Sequence, residues 1–179
     1  SDVYKRQEYL RIRYFLFTTA EATRDVDADS KFFGLRDGVS GPHTSRTMMS
    51  EELGRLLAHF DQPDAIQTLA DYEHAIVDDN ILTKPTQATR KASLRFLREL
   101  YSLDQSVALF RALRKLWRLD ETSRPLIAIL SAYGRDPMLR AAAPVILGTP
   151  VDSEVSRTQL TRAIKEFCDA TMADSTIDK

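Results

Sequence analysis

From Met49 to Phe167 apolar residues return at steps of three and four, and that period commits most of the chain to helices. Met49, Leu53, Leu56, Leu57 and Phe60 make the first run, which Pro63 ends. Asp64 and Gln67 have capping-box spacing and predict a second helix over 64–79, through Ile66, Leu69, Tyr72, Ile76 and Val77. Asp78-Asp79-Asn80 stops it. After a link, Ile81–Pro85, Thr86 is the expected N-cap of a helix reaching about Ser102. Asp104 and Asp120 are read as caps of two more, the first carrying Leu109, Phe110, Leu113, Leu116 and Trp117, the second Leu126, Ile127, Leu130 and Tyr133. Asp136-Pro137 starts a short helix, Pro144 and Pro150 bracket a short segment, and Ser156 with Gln159 caps a helix through Leu160, Ala163, Ile164 and Phe167. The expected class is all-α, a multi-helix bundle.

The ends follow other rules. Ser1–Gln7, SDVYKRQ, looks like the translated read-through of a sequencing adapter, so no fold information is expected from residues 1–7. Tyr9–Thr19 is aromatic-rich, and its pattern fits a helix and a strand equally. Residues 23–46 read as a polar loop broken by Gly34, Gly38, Gly41 and Pro42. At the far end Ser175 and Asp178 again have N-cap spacing, a start signal with no helix behind it, while the bland reading is a frayed tail. The expected division is 1–7, an N-terminal segment and loop over 8–43, a helical bundle over 44–149, and an incomplete C-terminal helical subdomain over 150–179. The chain is expected to be truncated at both ends.

Chemistry is sparse. Cys168 is the only cysteine, so an internal disulfide and a cysteine-based metal site are both excluded, and a reducing cytoplasm is the expected setting. No apolar run is long enough to span a bilayer. No pair among His43, His59 and His74 has the spacing of a helical metal site; His74 with Asp78 reads as a histidine–carboxylate pair. The Gly34–Gly41 loop lacks the phosphate-loop pattern, and no G-x-S-x-G elbow exists. No catalytic residue, cofactor or metal is expected, and the chain reads as a binding module.

Charge distribution is the informative signal. The net charge is −1, yet residues 84–118 hold nine Lys/Arg and two Asp/Glu, whereas residues 1–83 hold nine and fifteen. Lys91, Arg95 and Arg98 fall at i, i+4 and i+7 on one helix face. Arg111, Arg114, Lys115 and Arg118 fall at i, i+3, i+4 and i+7 on the next, and both stripes lie off the apolar side. Two basic faces suit the phosphates of a duplex. Solvated faces that pair with the acidic N-terminal region inside the fold are the commoner outcome for such stripes, and an acidic protein partner is a further reading. Helix, link, helix over 64–101 also allows a loose helix-turn-helix, although an antiparallel hairpin is the commoner outcome.

One stretch is distinctive: Ala75-Ile-Val-Asp-Asp-Asn80-Ile-Leu82-Thr-Lys84-Pro-Thr86-Gln-Ala-Thr89-Arg90, continuing as Leu94-Arg-Phe-Leu-Arg-Glu-Leu100-Tyr-Ser-Leu-Asp104. It resembles the BrxA family, the small helical component of bacterial BREX phage-defence systems, in which an acidic-Asn-x-Leu-x-Lys-x-(Ser/Thr) segment joins two helices. The resemblance spans roughly residues 44–179, while the aromatic start and the loop 23–46 depart from it. It implies a non-catalytic, all-helical protein that binds double-stranded DNA, with a fold similar to the NusB type of antitermination factor. It also implies defence-system protein partners, and that residues 175–179 are the first turn of a second helix, following one like 156–170, in a unit that reads like a winged helix. It would place DNA contacts at Lys84, Arg90, Lys91, Arg95 and Arg98; Arg111, Arg114 and Lys115 rest on the stripe alone. A protein–protein adaptor and an RNA-binding bundle remain the alternatives.

Overall fold

The computed structural model describes residues 33–36, 48–62 and 65–167. They form seven α-helices and, among the described residues, no strand, so the fold is all-α. The helices are α1 (Ser50–His59), α2 (Leu69–Glu73), α3 (Gln87–Tyr101), α4 (Ala108–Leu119), α5 (Arg124–Tyr133), α6 (Pro137–Gly148) and α7 (Arg157–Phe167). The expectations for residues 9–19, His43, most of the loop 23–46, Cys168 and Ser175–Asp178 lie outside the described residues.

One core unites α1 to α5. Leu53, Leu56 and Leu57 enter it from α1, Leu97, Leu100 and Tyr101 from α3, and Phe110, Leu113 and Trp117 from α4. The small Ala128 and Ala132 let α5 come close. Phe60, Tyr72 and Phe110 stack edge-to-face through its middle, with centroids 5.1 and 6.0 Å apart. A smaller cluster joins Met138 and Ala141 of α6 to Ile164 of α7.

Four boundaries differ from expectation, each for a local reason. The helix expected from Asp64 begins at Leu69, because Thr68 and Asp71 form the capping box: Thr68 Oγ1 accepts from Asp71 N at 3.3 Å and Asp71 Oδ2 from Thr68 N at 2.6 Å. Gln67 instead turns inward and accepts from Gln105 at 2.6 Å. Asp104 and Asp120 each fold back on the backbone two residues ahead, accepting from Ser106 N at 2.8 Å and Thr122 N at 3.0 Å. These turns displace the helix starts to Ala108 and Arg124. Pro144 does not bound a segment but lies within α6, on its exposed side.

The α2 helix also ends unexpectedly, in a π-turn over His74–Asp78 closed by Asp79 N to His74 O at 3.0 Å. The sequence supplies the cause. Ala75, Ile76 and Val77 are all buried, and a regular 3.6-residue turn would carry one of three consecutive residues toward solvent. Widening the turn keeps all three on the core side, packed against α3.

Candidate nucleic-acid interface

The distinctive link is held by hydrogen bonds at nearly every residue. Asn80 and Thr83 adopt left-handed backbone, φ 55° and 53°. Asn80 Oδ1 accepts from Lys84 N at 2.8 Å, and Ile81 N donates back to Ala75 O at 3.1 Å. Leu82 plugs the core. Thr86 and Thr89 cap α3 reciprocally, each side-chain oxygen accepting from the other's backbone N–H at 3.2 Å. Asn80, Leu82, Lys84 and Thr86, the residues that make this stretch recognisable, thus all have work inside the fold.

The cations divide accordingly. Lys84 Nζ pairs with Glu52 Oε1 of α1 at 2.7 Å, and Arg55 donates to Thr83 Oγ1 at 2.9 Å beside it. Burial alone would raise the Glu52 carboxyl, but the Lys84 hydrogen bond, with backbone and charge from Lys84 and Arg55, holds it below its usual range. Arg90 reaches back to Val77 O at 3.0 Å and Lys84 O at 3.4 Å, bracing the π-turn against α3. On α4, Arg111 donates to Gln105 O at 2.9 Å and Ser106 O at 2.6 Å. Arg118 pairs with Asp61 at 3.2 Å.

Arg114 corrects the expectation that the α4 stripe lies wholly off the apolar side. It is only 7% exposed and donates to Phe60 O at 3.2 Å, at the end of α1. The stripe wraps far enough round α4 that its middle faces inward. Of the eight candidate residues, Lys84, Arg90 and Arg114 therefore tie elements together, and Arg111 is engaged by the backbone just ahead of its own helix. Lys91, Arg95, Arg98 and Lys115 are exposed, and none of the four makes an ion pair among the described residues. Arg95 lies over the Phe96 ring, 4.8 Å from its centroid, a contact that orients the guanidinium and leaves its charge intact.

Lys91, Arg95 and Arg98 line the side of α3 opposite Leu97 and Leu100, over about 10 Å of helix. Lys115 stands on α4. Among the described residues, one row on α3 and Lys115 on α4 are the cations of the two stripes without an ion pair or a hydrogen bond.

Sequence reasoning missed the partners that decide this. Glu52 and Phe60 are remote from Lys84 and Arg114 in sequence. It also missed Arg135, which is buried and donates to Glu99 O at 2.8 Å and to Gly34 O, tying residues 33–36 to the end of α3. Burial, with the Arg36 charge, pushes Arg135 down to about 10. Its place at the break between α5 and α6 was the one available signal.

His74 and Asp78 do pair, Nδ1 to Oδ2 at 2.9 Å, with Asp79 at 3.7 Å from Nε2; both carboxylates raise the histidine. No cluster of metal-ligating side chains is present among the described residues. No helix among them is long and apolar enough to cross a membrane. No protein-family model, curated protein or solved structure matches the chain.

Proposed function

We propose that this chain is a non-catalytic binding protein for double-stranded DNA, acting mainly through phosphates, as an accessory component of a bacterial phage-defence system. The observation that carries the binding is the row Lys91, Arg95 and Arg98: three exposed cations along one helix, without ion-pair partners among the described residues. Cations that a fold does not neutralise attract a polyanion, and a duplex carries one charge per about 1.7 Å of its axis. The defence setting rests on the resemblance of residues 75–104 alone.

Three phosphate contacts predict that the logarithm of duplex affinity falls with the logarithm of salt concentration with a slope of about −2.7. Anisotropy of a labelled duplex, titrated at several salt concentrations, reads this directly. Lys91→Glu, Arg95→Glu and Arg98→Glu together should abolish binding to all duplex sequences alike while circular dichroism stays unchanged. Absence of binding at low salt, or binding indifferent to the three reversals, overturns the proposal. Equal competition by structured RNA would move the reading to an RNA-binding bundle.

A further inference from the structure

Two arginines meet at the break between α5 and α6. Arg36 N donates to Gly134 O at 3.0 Å, which fixes the Arg36 backbone beside Arg135. Arg135 donates from Nε to Glu99 O at 2.8 Å and from Nη1 to Gly34 O. It is only 7% exposed. Its other terminal nitrogen, Nη2, has no hydrogen-bond partner among the described residues and is not sealed from solvent. Arg36 is half-buried, and its guanidinium has neither a hydrogen bond nor an ion pair among the described residues.

No carboxylate answers this charge. Asp136, next in the chain, accepts from Met138 N and Leu139 N at the start of α6, and Glu99 contributes its carbonyl. No ion pair joins Arg36 or Arg135 to an acidic side chain among the described residues. Carbonyls satisfy donors but leave a buried charge uncompensated, and buried charges are ordinarily paired. Arg114 shows that this fold holds one buried arginine on a carbonyl alone. The second cation is what sets this place apart. Burial and the Arg36 charge both push Arg135 down, and nothing acidic acts the other way. Like charges brought together repel unless an anion shares them.

Guanidinium forks match the oxygens of carboxylates and phosphates. A carboxylate, or a phosphodiester of a nucleic-acid backbone, carries one negative charge. A phosphate monoester carries about −1.5 to −2 at pH 7, with three acceptor oxygens, and so matches two arginines. We propose that Arg36 and Arg135 form a binding site for a phosphate dianion, either inorganic phosphate or the terminal group of a phosphate monoester. Arg135 Nη2 and the Arg36 guanidinium supply the donors. The inference is independent of the α3 row and of duplex binding.

The test is isothermal titration calorimetry of the full chain, at constant ionic strength, with inorganic phosphate, methyl phosphate and acetate in turn. The expected result is saturable binding of phosphate at one site, with acetate at least tenfold weaker. Binding of methyl phosphate as well assigns the site to the end of a monoester, and binding of inorganic phosphate alone assigns it to the free ion; both support the proposal. Arg36→Gln should weaken phosphate binding at least tenfold. Without phosphate it should melt no lower than the parent chain, because it removes a like charge and no hydrogen bond of the fold. Lys91→Glu with Arg95→Glu should leave phosphate binding unchanged. The proposal is overturned by an absence of saturable binding, by binding that survives Arg36→Gln, by acetate binding equally well, or by binding lost with the two α3 reversals. A lower melting temperature of Arg36→Gln without phosphate would give Arg36 to the fold and overturn it too.

Discussion

Two tyrosines in the same core have opposite balances. Tyr101 donates its hydroxyl to Met48 O, and burial pushes its phenol far up. Tyr72 is equally buried, but its hydroxyl has no protein partner among the described residues, and Gln105 beside it donates instead to Gln67 and Ala65. An unpaired buried hydroxyl costs about 1–3 kcal/mol. Tyr72→Phe should therefore raise the melting temperature by a few degrees, since about 1 kcal/mol shifts a domain of this size by roughly 2–4 °C. Tyr101→Phe should lower it by a similar amount; thermal melts followed by circular dichroism compare the two. Adjacent cations differ in the same way. Arg90→Ala removes charged hydrogen bonds to two carbonyls and should cost about 1.5–3 kcal/mol. Lys91→Ala should stay within about 0.5 kcal/mol while weakening any polyanion binding. Urea titrations check both. The basic stripes were legible as residues, but which of their members were engaged was not. That depends on the Glu52 carboxylate and on the Phe60 and Val77 carbonyls, and helical periodicity carries no information about groups that approach from another element.

At the scale of elements, the existence of the helices was legible because burial imposes its period on the sequence, and Thr86, Asp136 and Ser156 marked starts correctly. Asp104 and Asp120 misled because a short carboxylate accepts equally well from the N–H of a turn or of a first helical turn. Asp64–Gln67 had capping-box spacing, but Thr68–Asp71 forms the box in the structure, and the long-range pair Gln67–Gln105 takes Gln67 away from a capping role. The π-turn had a trace in the sequence: three consecutive residues, Ala75-Ile76-Val77, that a regular helix could not all bury. Its attachment to α1 runs through Glu52 and Lys84. A carboxyl whose folded-state value is depressed stabilises the fold above its ordinary value, and that contribution fades as pH falls through the folded-state value. Glu52→Gln should thus lower stability at neutral pH, with the gap closing below the ordinary value of 4.5. Denaturant midpoints measured from pH 7 to pH 3 test this, and a gap that stays constant across the series contradicts it.

Across the whole molecule, near-neutral net charge conceals a separation of charge, and the row on α3 is what the fold leaves of the basic middle. The Arg135 guanidinium spans 101 positions to Gly34 O. Arg135→Gln should loosen residues 33–36 without melting the bundle, so the Arg36 amide, bonded to Gly134 O, should exchange with solvent at least tenfold faster while core amides keep their protection. The same clamp orders events on the ribosome. At roughly 5–20 residues per second, the anchor for Gly34 is synthesised about 5–20 s after Gly34 itself. Throughout that interval α1 to α4 can assemble while residues 33–36 have no anchor, and they can lock only onto a nascent chain whose bundle is already largely built.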